Sequence, residues 1–162
     1  MPSNTAPVHS DNVAADDVPA SLRAWFFAHF LVDVVFGVPA LLVPEWLLPR
    51  FGWTSVDPVA ARLVGAALIA IGVQSFRIRA QSRAVYRAFL GLKIIWSASA
   101  ILGLVIAIGA GGPAATWALL ALFIGFSGVW SHYAIRLRQM DSLSTTFPDD
   151  DERADADGVA NS

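Results

Sequence analysis

Four long apolar runs, separated by short polar or turn-rich breaks, dominate this chain. They cover about residues 22–43, 58–76, 85–108 and 114–135. A membrane-spanning helix needs roughly 20 mostly apolar residues, so each run predicts one span and the pattern predicts an all-α, four-helix transmembrane bundle. The start of the second span is sharply written. In "SVDPVAARL", Asp57 suits an N-cap and Pro58 suits the first helical position. The "GAGGP" before the fourth run is a turn that ends on a helix-opening Pro113. "PEWLLPRFGW" between the first two spans mixes aromatic residues with Pro44 and Pro49, and predicts a short interfacial segment with Trp46 and Trp53 at headgroup depth.

Small residues set how closely such helices approach. Gly65 and Gly72 mark one face of the second span. Ser97, Ala100, Gly103 and Ala107 mark a face of the third, and Ala118, Ala121, Gly125 and Gly128 one of the fourth. All three stripes are expected to face inward as packing contacts.

Composition sharpens the class. The chain is 56% hydrophobic and only 15% charged, more apolar than a soluble domain of this length needs. Much of the acidic charge is confined to the ends, in "SDNVAADD" and "DDDERADAD". Residues 1–21 and 141–162 are therefore expected to be disordered acidic tails flanking a membrane domain at 22–140. No cysteine is present, which removes disulfides, iron–sulfur clusters and Cys-ligated zinc. A small-residue cleavage site does not follow the first run, so it reads as a span and not as a cleaved signal.

Basic residues give the orientation. Arg77, Arg79, Arg83 and Arg87 fall between the second and third spans, Arg136 and Arg138 follow the fourth, and Arg23 opens the first. The other two connections carry only Arg50. With four spans these arginine-bearing regions share one side, and the positive-inside rule places both termini in the cytoplasm of a multi-pass cell-membrane protein.

Candidate chemistry lies in the polar residues inside the spans: His29 and Asp33, Arg62, Gln74, Lys93, Ser97 and His132. An ionisable group at this depth is a functional-site hypothesis by default. Asp33 alone costs about 3 kcal/mol on the insertion scale, against a gain of roughly 0.3–0.6 for each strong hydrophobe, so the first span still inserts. His29 and Asp33 are four residues apart and share a helix face. At 1.5 Å per residue from the inner end, His29 and Lys93 reach nearly the same depth and Asp33 lies about 6 Å deeper. Asp33 and Lys93 are thus a candidate interhelical ion pair, with His29, His132, Gln74 and Ser97 as candidate members of the same inner-half cluster. His132 continues the small-residue stripe of the fourth span, which would turn it inward, but beside Trp130 and Tyr133 the interfacial position is the better fit. Arg62 is the outer-end charge, placed to snorkel or to form an ion pair. No metal or cofactor is expected, because two histidines without ligand spacing define no site. Glycine-rich nucleotide loops and nucleophile elbows are absent.

"VPALLVPEWLLPRFGW" followed by "DPVAARLVGAALIAIGVQS" resembles the small DoxX-like family of four-helix membrane proteins, over about residues 22–135. The resemblance implies the same four-span fold and, by analogy with some members, a role as an accessory membrane subunit of an oxidoreductase. It supplies no catalytic residues, and the "HFLVD" and "LKIIWS" elements of this chain are not general features of that family.

Two functional readings follow. One is an accessory or scaffolding subunit, or a binder of a small lipophilic ligand, whose partners are the bilayer and either another membrane protein or a second copy, with no nucleic acid. The other is a membrane-embedded enzyme or proton-coupled carrier: His29 exchanges protons, Asp33 orients it and Lys93 polarises an anionic or carbonyl group. Carriers often carry internal repeats, and none is evident between residues 22–76 and 85–135.

Overall fold

A computed structural model describes residues 18–146, and most of the tail expectations lie outside that range. The described chain is helical. Helix α1 spans Ala20–Leu42, the short α2 spans Pro44–Leu47, α3 spans Pro58–Arg77, α4 spans Arg83–Gly109 and α5 spans Ala115–Thr146. Four of these helices are long and apolar enough to cross a membrane. The helix boundaries differ from the sequence reading by no more than two residues, except at the end of α5. Helix α1 begins at Ala20, and α5 continues to Thr146, past the point where the acidic tail is expected to begin.

The caps follow local chemistry. The Asp57 carboxylate accepts from the backbone N–H of Val59 at 2.9 Å and of Ala60 at 3.2 Å, as its position before Pro58 predicts. Helix α1 stops at Val43 because Pro44 disfavours helical backbone in the residue before it. Beyond α2, a 3-10 turn over Leu48–Phe51 ends on Gly52, whose φ of 94° a side chain would strain. Arg62 binds Glu45 at 2.9 Å. The Glu45 backbone N–H, and after it the Arg62 guanidinium, hold that carboxyl below the ordinary carboxylate range. Both partners are well exposed, so this pair tethers α2 to α3 more than it stabilises the fold.

The helices pair as two hairpins, α1 with α3 and α4 with α5. The first hairpin is close-packed through glycine. A Cβ at Gly65 would lie 2.5 Å from the Leu41 nitrogen and 2.8 Å from the Gly37 carbonyl oxygen, so the two backbones touch there. The second hairpin is built differently. A Cβ at Gly91, Gly103, Gly125 or Gly128 would meet nothing within 4 Å. The stripe of Ala118, Ala121, Gly125 and Gly128 is exposed, and so is Gly103. The structure thus corrects the expected inward orientation of the α5 stripe and of Gly103, whereas Ser97 of the α4 stripe is buried and Ala100 and Ala107 are half-buried. The reason lies on the opposite side of α5, where Trp130, Tyr133 and Leu137 recur at helical spacing and fill the core. Bulky side chains take the inside, and the small ones are left facing outward.

The core consists of Val18, Leu22, Phe26, Ile78, Tyr86, Leu90, Trp130, Tyr133 and Leu137. It draws on both hairpins and sits in the arginine-bearing half of the bundle. Large apolar side chains such as Leu31, Val35, Leu63, Ile95, Leu102 and Ile106 are exposed, as a lipid-facing surface requires.

Candidate functional site

Three ionisable side chains converge where the hairpins meet. Helix α1 turns Leu22, Phe26, His29, Asp33 and Gly37 toward the interior, a stripe at three- and four-residue spacing. Helix α4 does the same with Tyr86, Leu90, Lys93 and Ser97. Register brings His29 and Lys93 level. The Lys93 Nζ lies 3.1 Å from the His29 Nδ1, and the Asp33 Oδ2 lies 2.7 Å from the same nitrogen. Lys93 is 1% exposed, Asp33 3% and His29 7%, so the triad is sealed from solvent.

Glycine makes room for it. A Cβ at Gly72 of α3 would lie 2.7 Å from the Asp33 Cβ and 3.2 Å from its Oδ2. Gly72, read from the sequence as a helix-packing residue, is thus the niche for the carboxylate. Beside it, the buried Ser75 hydroxyl donates to the Ile71 carbonyl at 2.6 Å, a local back-bond that leaves no orphaned hydroxyl in the helix.

Aromatic rings form the walls. Lys93 Nζ lies 4.8 Å from the Trp130 ring centre, 5.1 Å from that of Phe26 and 5.4 Å from that of Phe89. Ring faces attract an ammonium, most strongly when it is desolvated. His29 meets Phe126 and Trp130 edge-on at 4.7 and 5.2 Å, and those two rings stack at 5.6 Å. Residue type suggests the interface for Trp130 and Tyr133, but both are core residues, 0% and 7% exposed. The four-three-four spacing of Phe126, Trp130, Tyr133 and Leu137 carries that information, whereas residue type alone points to the interface.

The remaining candidates are placed as follows. Ser97 is buried one turn beyond Lys93 on the same face. His132 and Gln74 are exposed and do not join the triad. His132 follows the small-residue stripe of α5 outward and stacks its ring edge on Tyr133 at 5.3 Å. Gln74 adjoins the buried Ser75 but points away from it. Arg62 stands apart in its pair with Glu45.

The proton inventory of the triad defines its chemistry. A neutral imidazole nitrogen is either a donor or an acceptor, never both. If Nδ1 carries hydrogen, it serves Asp33, and Lys93 must approach as a free amine. If Nδ1 is bare, it accepts from the Lys93 ammonium, and Asp33 loses its donor. Both contacts lie within bonding distance, and the tautomer decides which of them Nδ1 serves. The 2.7 Å separation of Asp33 Oδ2 from Nδ1 calls for a proton between them, and that proton competes with the one Lys93 offers to the same nitrogen. The three rings around Lys93 suit an ammonium. A buried carboxylate oxygen without a donor is costly in a low-dielectric setting, and it is the place where an added proton or a donor group would be held. The three protonation states are therefore linked.

No protein family, curated protein or solved structure matches this chain. Fold and site define its class on their own terms: a small multi-pass α-helical membrane protein with a Lys–His–Asp triad enclosed in its bundle.

Proposed function

We propose that the protein binds a small lipophilic ligand bearing a carbonyl or acidic head group, and that the triad exchanges a proton with that group. The observation that carries this reading is the enclosed cluster itself, in which one imidazole nitrogen lies 3.1 Å from the Lys93 amine and 2.7 Å from the Asp33 carboxylate, so that two groups compete for one proton site. A bundle that needed only stability is served as well or better by apolar packing, because buried ion pairs seldom repay their desolvation. Lys93 would hold or polarise the head group, His29 would pass the proton, and Asp33 would receive it. The aromatic walls suit an apolar ligand body. The cytoplasmic placement of both termini belongs to the same proposal, since it sets the triad in the inner half of the membrane.

The decisive experiment is extraction and mass spectrometry of small molecules retained by protein purified in lipid. Wild-type protein is expected to retain a carbonyl- or acid-bearing lipophile. Lys93→Met, with helical content preserved, is expected to lose it by about tenfold or more, the loss of one charge-assisted contact. Identical extracts from both proteins would defeat this reading.

That outcome would favour a second one, an accessory or scaffolding subunit. Its specific support is the exposed small-residue face of α5, shaped for close approach by another helix. The resemblance to DoxX-like proteins points the same way. Topology is checked separately. In intact cells a cysteine placed at Ser82 should be protected from an impermeant thiol reagent, and one at Ser55 should react. Labelling at Ser82 would invert the orientation.

A further inference from the structure

The arginine-bearing end of the bundle holds a second polar cluster, separate from the triad. Between α3 and α4, the 3-10 turn Ile78–Ala80 anchors Ile78 in the core. Its neighbours differ in consequence: Arg77 is exposed, whereas Arg79 is half-buried. The Arg79 guanidinium lies over Phe27 at 5.1 Å and Phe76 at 5.3 Å. Its Nε is buried without a hydrogen-bond partner, and Arg79 forms no ion pair among the described residues. Tyr86, 0% exposed, packs its ring on Phe26 at 4.9 Å. The Tyr86 hydroxyl is buried and also lacks a partner. Arg23 and Arg79 both stand close enough to act on that hydroxyl electrostatically.

Arg79 Nε and the Tyr86 hydroxyl are thus two buried donors without an acceptor. A guanidinium offers a planar fork of N–H groups and accepts nothing, and a phenol adds one O–H from another direction. A ligand that satisfies both must be an anion with several oxygens pointing different ways. Phosphate fits better than a planar carboxylate, because one pair of oxygens engages the fork while a third takes the hydroxyl. Location narrows the source. The cluster lies at one end of the membrane spans, at the depth of headgroups, and the exposed Phe27 and Phe76 beneath Arg79 offer an apolar surface next to lipid tails. We propose that Arg79 and Tyr86, with Arg23 beside them, form a binding site for the phosphate of an anionic phospholipid headgroup. The proposal is independent of the ligand assigned to the triad.

The positive-inside rule alone asks only for charge on this side, so Arg77 and Arg79 would then be equivalent. The test exploits that difference. Full-length protein in zwitterionic micelles is titrated with phosphatidylglycerol, and bound lipid is counted by native mass spectrometry alongside the melting temperature. Phosphatidylglycerol should bind and raise Tm, whereas phosphatidylcholine should do neither. Arg79→Gln and Tyr86→Phe should each weaken binding by about tenfold, as loss of a charge-assisted hydrogen bond does. Tyr86→Phe keeps the ring against Phe26, so its fold is secure. Arg77→Gln removes the same charge from an exposed position and should leave binding unchanged. Inorganic phosphate that stabilises the protein and displaces the lipid at equal concentration would keep the phosphate site but overturn its assignment to a lipid. Equal losses from Arg77→Gln and Arg79→Gln, or binding indifferent to Tyr86→Phe, would overturn the site itself.

Discussion

Gly65→Leu should destabilise the bundle by about 3 kcal/mol or more, at or beyond the top of the 1–3 kcal/mol range usual for overpacking. The obstacle is backbone and not a rotatable side chain. Already the first added carbon would sit 2.5 Å from the Leu41 nitrogen and 2.8 Å from the Gly37 oxygen. Neither atom moves without separating α1 from α3, and that separation also withdraws Asp33 from its niche at Gly72. Gly125→Leu should leave the melting temperature of the isolated protein unchanged, because nothing lies within 4 Å of its Cβ position. Thermal unfolding of both variants in the same lipid decides the matter. A tolerated leucine at Gly65 would mean that α1 and α3 do not pack through that glycine.

That pair of glycines also shows how far the sequence is legible. Span number and approximate span ends follow from hydrophobic run length, and the Asp57–Pro58 helix start follows from backbone chemistry. Those are local properties, written in adjacent residues. Which face of a span turns inward is not local. In water, burial of apolar residues answers the question, but in lipid both faces of a span are apolar and their apolarity does not tell them apart. Small residues then read as packing faces everywhere. They are so at Gly37, Gly65 and Gly72, where α1 and α3 meet, and not at Gly125 and Gly128, where large rings on the opposite side fill the core. The polar residues carry better information. Burial of His29, Asp33 and Lys93 on matching stripes follows from the cost of exposing them to lipid. The order of contact within the triad does not follow, because it depends on side-chain reach. Opposite charge points to a direct Asp33–Lys93 pair, yet the His29 ring stands within bonding distance of both. Exposure of His132 and Gln74 is equally hidden, since a polar residue near a span end reaches headgroups from either face.

The arrangement of the triad predicts a particular pattern of energetic coupling. Lys93→Met removes the amine 3.1 Å from Nδ1 and leaves Asp33 as an uncompensated buried charge, and breaking a buried pair in this way costs about 3–5 kcal/mol. Asp33→Asn should cost less, because the amide keeps the shape and an oxygen beside Nδ1 while it removes a buried charge. The double variant should be more stable than the sum of the single losses implies, by an interaction energy of roughly 0.5–3 kcal/mol. If the imidazole mediates between the two charges, that coupling should shrink when the cycle is repeated in a His29→Phe background, where the ring remains but its nitrogens are gone. The Lys93–His29 cycle should then show the larger coupling of the two, since it contains the direct 3.1 Å contact. Thermal unfolding in lipid at one fixed pH reads every corner of these cycles. Asp33–Lys93 coupling that survives His29→Phe undiminished would mean that the charges act on each other through the bundle directly. The shared nitrogen would then be a neighbour of the pair and not its bridge, and the proton path through His29 would fall with it.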